Sequence, residues 1–138
     1  MSDPTFFSEE WCQFALKAEQ ADSAKIMKAL KNPKTFTHVL AFEVADRPGV
    51  QTHLKYDAGR ATAWTALDLF DESEVWARFR ANLEHYQEAA SGKTPAANLV
   101  MSGKMRLVKG TMKDAVENAQ SLTLLVRSWG TVPTDWGI

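Results

Sequence analysis

The chain has 138 residues, of which 45% are hydrophobic and 24% are charged, a balance typical of one soluble globular domain and not of a disordered or fibrous chain. Its 16 basic and 17 acidic residues give a net charge of −1, which offers no broad electrostatic attraction to nucleic acid or to an anionic membrane, so we expect no nucleic acid partner and at most a local, peripheral membrane contact. We expect a single domain over residues 1–138, with a core over about 8–129 and a tail over 130–138.

The single cysteine and the apolar stretches indicate the compartment. Cys12 cannot form an internal disulfide, and the apolar residues around it predict a buried thiol rather than a nucleophile. The start of the chain has no basic-then-apolar leader pattern, and the apolar stretches are far shorter than the ~18 residues of a membrane span. We therefore expect a cytoplasmic protein in a reducing compartment.

The first elements are helical. From Ser8 to Lys31 the apolar residues recur at helical spacing, but the stripe rotates part of the way along. The first stripe is Trp11, Phe14, Ala15, Ala18 and Ala21, and the second is Ile26, Met27 and Leu30. Asp22 and Ser23 lie between the stripes and are good N-caps, which predicts two short helices or one kinked helix, ending before Pro33.

The period then changes to two, which indicates β-strands. One predicted strand alternates through Phe36, His38, Leu40, Phe42 and Val44, and the next through Val50, Thr52, Leu54 and Tyr56. The residues between those of the second strand are Gln51, His53, Lys55 and Asp57, so one face of the sheet is expected to be wet. Turn sequences at 46–49 and 57–60 predict antiparallel hairpins, with a third strand over 61–67.

A helix with a strongly aromatic face is predicted next. Asp71 and Glu74 have the spacing of a capping box, and the apolar residues after them fall within an arc of about 100°. These residues are Val75, Trp76, Phe79, Leu83 and Tyr86. Gly92 and Pro95 end the pattern.

A short strand and a final helix close the chain. Between Gly103 and Gly110 the alternation places Met105 and Leu107 on one face of a half-buried strand. Thr111 and Asp114 then form a capping box for a helix whose apolar face is about 140° wide. That face consists of Met112, Ala115, Val116, Ala119, Leu122, Val126 and Trp129, so a wide helix is expected to lie across the sheet.

The stretch MSGKMRLVKGTM, residues 101–112, with Gly92, Lys93 and Pro95 before it, resembles the sterol carrier protein type 2 (SCP2) sterol-binding domain. The order of elements from about Ser8 to Trp129 resembles that family too. The resemblance implies an α+β fold in which helices cover one face of a mostly antiparallel sheet and enclose a hydrophobic tunnel or cleft. It also implies a carrier that binds fatty acids, acyl-CoA, sterols or other lipids without transforming them, so neither enzyme activity nor a cofactor is expected.

Two regions lie outside this motif. The chain ends DWGI in place of the family's peroxisomal targeting tripeptide, so no peroxisomal address is implied. The tail from residue 130 and the aromatic helix at 76–86 also depart from the motif, and either would plug the tunnel if it entered it.

The predicted ligand-binding residues are apolar side chains between the long helices and the sheet: Trp76, Phe79, Leu83, Met101, Met105, Leu107, Met112 and Val116. Binding pockets and packed cores use the same residue types. The alternative is therefore a closed core in a structural or interaction module, such as a homodimer that assists an enzyme system. Trp129 and Trp136 would then be exposed anchors.

Catalytic and metal-binding patterns are absent from the sequence. SGKTP ends like a P-loop, but the glycine that the motif requires is Gln87, and His38, His53 and His85 have no metal-ligand spacing. His38 is expected to be a hydrogen-bonded core histidine, with an anchor for a ligand headgroup as the alternative. The basic cluster of Lys104, Arg106, Lys109 and Lys113 is expected to be a solvated edge, with anionic headgroups or a CoA phosphate as the alternative.

Overall fold

The computed structural model describes residues 3–67 and 70–138. Within these residues the chain forms six α-helices: α1 (Glu9–Ala21), α2 (Ser23–Ala29), α3 (Leu83–Ser91), α4 (Ala96–Met101), α5 (Met112–Glu117) and α6 (Ala119–Ser128). The same residues form a sheet of five strands: β1 (His38–Val44), β2 (Gln51–Asp57), β3 (Arg60–Thr65), β4 (Val75–Ala81) and β5 (Met105–Lys109). The predicted α+β class is confirmed.

The sheet has the strand order β3-β2-β1-β4-β5, in which β1 and β4 are parallel and the other neighbours are antiparallel. The predicted hairpin between β2 and β3 turns at Ala58 and Gly59, whose φ values of 49° and 82° suit a two-residue loop that follows the strand twist. Leu40, Phe42 and Val44 alternate towards the helices and join the main core. The predicted sheet, mostly antiparallel and covered by helices on one face, is confirmed.

The predicted aromatic helix after Asp71 is wrong in its first half. Residues 75–81 form strand β4, in which Val75, Ala77, Phe79 and Ala81 are buried at alternate positions, and helix α3 begins only at Leu83. The large apolar residues of this stretch have helical spacing, whereas Ala77 and Ala81 together with Val75 and Phe79 have the two-residue period of a strand. Backbone pairing with β1 on one side and β5 on the other favours the strand. The predicted capping pair, Asp71 and Glu74, lies at the start and end of a short 3₁₀ helix over Glu72–Glu74.

The N-terminal region forms two helices, as predicted, but the buried stripe of α1 differs. Its buried residues are Trp11, Cys12, Ala15 and Glu19, whereas Phe14 is 43% exposed. Tyr56 donates a hydrogen bond of 2.7 Å to the Glu19 carboxylate, which compensates part of the cost of burying it. The buried face of α1 therefore includes the polar Glu19, which pairs with Tyr56 on β2, and excludes the apolar Phe14.

The predicted final helix is divided in two at Asn118. Thr111 caps α5 through the Asp114 backbone N–H, as predicted, but the Asn118 side chain donates to the Asp114 carbonyl at the end of that helix. Helix α6 then packs across the sheet with Leu122, Leu125 and Val126 buried, whereas α5 contains no buried residue. The continuous apolar face of the prediction is therefore split between a core helix and a short surface helix.

The second face of the sheet is only partly wet. His53, predicted to face solvent, is 2% exposed and lies beside the ring of Phe70. Val39, Ala41 and Val75 form a small apolar cluster with Phe70 on this face. Phe70 thus covers part of a surface that strand alternation predicts to be exposed.

Trp129 lies at the centre of the main core. It is fully buried, and the rings of Phe6, Phe7, Trp11 and Tyr86 lie with centroids 5.4 to 6.0 Å from it. The prediction of Trp129 as an exposed anchor is therefore wrong. Trp136, the other predicted anchor, is half-buried against Phe6 in a tail that hydrogen-bonds the N-terminal segment.

Candidate functional site

An apolar cleft lies between the sheet and the pair α5 and α6. Its volume is about 520 Å³, counting the part that opens to solvent. The sheet contributes Leu40, Tyr56, Trp76, Ala77, Phe79 and Leu107. The helices contribute Ala115, Ser121, Leu122 and Leu125, and Leu30 and Phe36 close one side. The lining has the apolar and aromatic character of small-molecule sites.

The cleft is narrow. Most of it is shallow space between side chains, and only a small part is wide enough to hold water. The Ser121 hydroxyl, one of the polar groups of the lining, donates to the Ile26 carbonyl at 3.3 Å. An apolar chain could therefore enter without leaving this hydroxyl unpaired.

A polar pocket, which we call the vestibule, adjoins the cleft and shares Phe36, Trp76, Asp114 and Asn118 with it. Its other lining residues are Lys31, Asn32, Thr35, His38, Lys113 and Glu117. The His38 ring stacks on the Trp76 indole at 4.1 Å with an interplanar angle of 12°. The expectation of a core histidine is wrong, since His38 is half-buried beside the vestibule.

The electrostatics of the vestibule are balanced. Burial lowers the pKa of His38 although the Asp114 carboxylate raises it, which favours the neutral imidazole at pH 7. Lys31 forms an ion pair with Glu117, and the Thr111 hydroxyl donates to Asp114 at 2.8 Å. The arrangement offers hydrogen-bonding groups without a strong excess of either charge.

Helix α5 covers the cleft and is held by few contacts. Thr111, Asp114 and Ala115 line the cavity, whereas Met112 and Val116 point away from it and are 50% and 49% exposed. A backbone hydrogen bond from Lys31 to the Asn118 side chain, 3.0 Å long, ties the end of α5 to the segment before β1. The cover is therefore anchored at its ends and not by a buried face.

The turn into α5 requires glycine. Gly110 lies against β4 with φ 105°, and a Cβ there would come within 3.0 Å of the Trp76 carbonyl oxygen. This close approach brings α5 over the cleft, which explains the second of the two glycines that flank β5.

The structure brings some of the predicted ligand-binding residues together and separates others. Trp76, Phe79 and Leu107 line the cleft. Met105 is buried in the main core and Leu83 is buried at the start of α3, both outside the cleft lining. Met101, Met112 and Val116 are at least 49% exposed.

Sequence reasoning missed several lining residues on other elements. Leu30, Phe36, Leu40 and Tyr56 carried the signal of strand and helix periodicity but no indication of a cavity. Leu125, also missed, lies one turn from Leu122 on α6, where the buried positions 121, 122, 125 and 126 have helical spacing. The split of the final helix is what directs this stripe into the cleft.

The Cys12 thiol is structural in character. Burial raises the pKa of the Cys12 thiol to about 12, and its sulfur lies 3.1 Å from the Thr52 hydroxyl. Such a thiol is a poor nucleophile at neutral pH.

In residues 3–67 and 70–138 no three His, Cys, Asp or Glu side chains are grouped so that they could hold a metal ion. No helix in this part of the chain is long and apolar enough to cross a membrane.

Comparison with known proteins finds similarity in structure. A crystal structure of sterol carrier protein 2 aligns with a TM-score of 0.76 and 24% identity, covering 92% of this chain and 98% of the other. A Thermus thermophilus protein described as possibly a sterol carrier protein aligns with a TM-score of 0.69 and 24% identity, covering 94% and 92%. The apo form of Sterol Carrier Protein 2 from Yarrowia lipolytica aligns with a TM-score of 0.52 and 15% identity, covering 86% and 88%.

Neither the family models nor the curated proteins contain a match. The likeness is therefore one of architecture, and it extends over nearly the whole chain and its counterparts. The resemblance seen around Gly103 and Gly110 is confirmed at the level of structure: the chain has the sterol carrier protein 2 fold.

Proposed function

We propose that the chain is a carrier or accessory protein that binds a lipid or another hydrophobic molecule in the cleft without transforming it. The observation that carries this proposal is the apolar cleft between the sheet and α5 and α6, with a polar vestibule at its side. An apolar interior beside a polar opening suits an amphiphilic guest. The sterol carrier proteins with the same fold support this choice by their names.

Within this proposal, Trp76, Phe79 and Leu107 contact the hydrophobic part of the ligand, together with Leu122 and Leu125 of α6. The narrow bore favours a single hydrocarbon chain over a fused ring system. Dispersion contacts and removal of apolar surface from water would supply the affinity. No step of bond making or breaking is assigned to this site.

A variant that fills the cleft tests the proposal. Ala115→Phe places an aromatic ring in the space that the ligand would occupy, and Ala115 is on a helix without buried residues, so we expect the fold to tolerate it. Affinity for a fluorescent fatty acid should fall by about tenfold or more, roughly 1.4 kcal/mol. The measurement is a fluorescence titration of both proteins.

The control is Ala24→Phe, the same change at an exposed helical position of α2 outside the cleft lining. It should bind as tightly as the parent chain, and a thermal melt of each variant separates loss of binding from loss of fold. Equal affinity of all three proteins would contradict binding in the cleft.

A further inference from the structure

The charges of the vestibule bear on which polar head a ligand can carry. Its lining includes two basic residues, Lys31 and Lys113, and two acidic residues, Asp114 and Glu117. The two positive and two negative charges cancel, and His38 adds none while it is neutral. A head with several negative charges would gain no net attraction here.

The basic residues of the neighbouring strand do not change this balance. Of the cluster noted in the sequence, Lys113 lines the vestibule, whereas Lys104 is exposed just before β5 and outside the lining. Arg106 alternates with Met105 and Leu107, which face the core and the cleft, so it points to the other side of the sheet, where it pairs in register with Arg80. Lys109 lies beside Glu72, with its Nζ 3.9 Å from a carboxylate oxygen.

The vestibule does offer hydrogen bonds to an uncharged head. His38 presents a neutral imidazole on the flat face of Trp76, and Lys113 and Thr35 are exposed at the rim. Asp114 adds carboxylate oxygens as acceptors. Hydroxyl groups can use donors and acceptors of this kind at once, whereas phosphate oxygens need donors and positive charge.

We propose that the vestibule receives the polar head of an amphiphile whose head is uncharged and rich in hydroxyl groups, such as a monoacylglycerol, and that it discriminates against acyl-CoA esters. This rests on the proposed function, since the cleft must hold the hydrocarbon chain of the same molecule. The selectivity resides in the vestibule and the affinity for the chain resides in the cleft.

The test compares two ligands with the same chain. Monopalmitoylglycerol and palmitoyl-CoA, each below its micellar concentration, displace a fluorescent fatty acid from the protein. The glyceride should displace it at a concentration at least about tenfold lower. Equal displacement, or tighter binding of palmitoyl-CoA, would overturn the head selectivity and leave the proposed function standing. Displacement by neither ligand would overturn the proposed function with it.

Glu117→Gln tests whether the vestibule sets the selectivity. The substitution removes one negative charge and frees Lys31 from its ion pair, so the affinity for palmitoyl-CoA should rise about threefold or more. The affinity for the glyceride should stay within about twofold of the parent value, because an uncharged head does not respond to net charge. Glu10→Gln, at an exposed position of α1 outside the vestibule, should change neither. An unchanged ratio in Glu117→Gln would overturn the assignment of the head to the vestibule.

Discussion

Glu19 is a carboxyl group within the core, 1% exposed, whose pKa is raised by burial and by Asp22 against the lowering effect of the Tyr56 hydrogen bond. An acid whose pKa is higher in the folded than in the unfolded state contributes least to the free energy of unfolding when it is ionised. Its full contribution is present below the unfolded value of 4.5 and is lost as the pH rises through the folded pKa.

We therefore expect Glu19→Gln to increase the free energy of unfolding at pH 8 by on the order of 1 kcal/mol, because the amide keeps an acceptor for Tyr56 without a charge. The gain should shrink as the pH falls towards 4.5. Urea unfolding followed by tryptophan fluorescence at pH 5 and pH 8 measures it. The exposed Glu10→Gln should show no such pH dependence, and a Glu19→Gln gain that is the same at both pH values would contradict this account.

At the scale of elements, α5 contrasts with α6. The former has six residues and no buried one, whereas the latter buries five residues, including Leu122 and Leu125. Local stability follows buried apolar contacts, so α5 should open far more often than the fold as a whole unfolds.

Hydrogen exchange measured by mass spectrometry tests this difference. Amides of residues 112–117 should exchange at least about tenfold faster than those of 119–128, and a bound hydrocarbon chain should slow the former specifically. Equal protection of the two helices would show that α5 is not a separate cover. Protection that does not change when ligand is added would contradict a role for α5 at the cleft.

The sequence allowed most elements to be located but not the choice between strand and helix at residues 75–81. Strands β1, β2 and β5 follow from alternation, β3 follows from the turn sequence before it, and Thr111 follows from its capping pattern. Strand β4 does not, because its parallel pairing with β1 is a contact between distant parts of the chain that outweighs the local signal. The rotated face of α1 has the same origin, since Tyr56 on β2 compensates the buried Glu19.

At the scale of the whole molecule, the fold was easier to predict than the cleft. Trp76 and Phe79 were found because they belong to the aromatic face of the predicted helix, and Leu107 because it lies on the apolar face of the predicted strand between the two glycines. Met112 and Val116 are exposed, because the break at Asn118 turns their neighbours on α6 inward instead, and Met101 is exposed at the end of α4. Whether an apolar stripe fills a core or lines a cavity depends on such breaks, which periodicity alone does not reveal.

In the proposed function, this cleft holds a hydrophobic molecule. The most direct measurement is native mass spectrometry of the freshly purified protein, with organic extraction and mass analysis of what is released. We expect a discrete added mass that disappears on denaturation and is lost or weakened in Ala115→Phe. A mass equal to that of the chain alone, unchanged after incubation with fatty acids, monoacylglycerol, acyl-CoA and sterols, would contradict the claim.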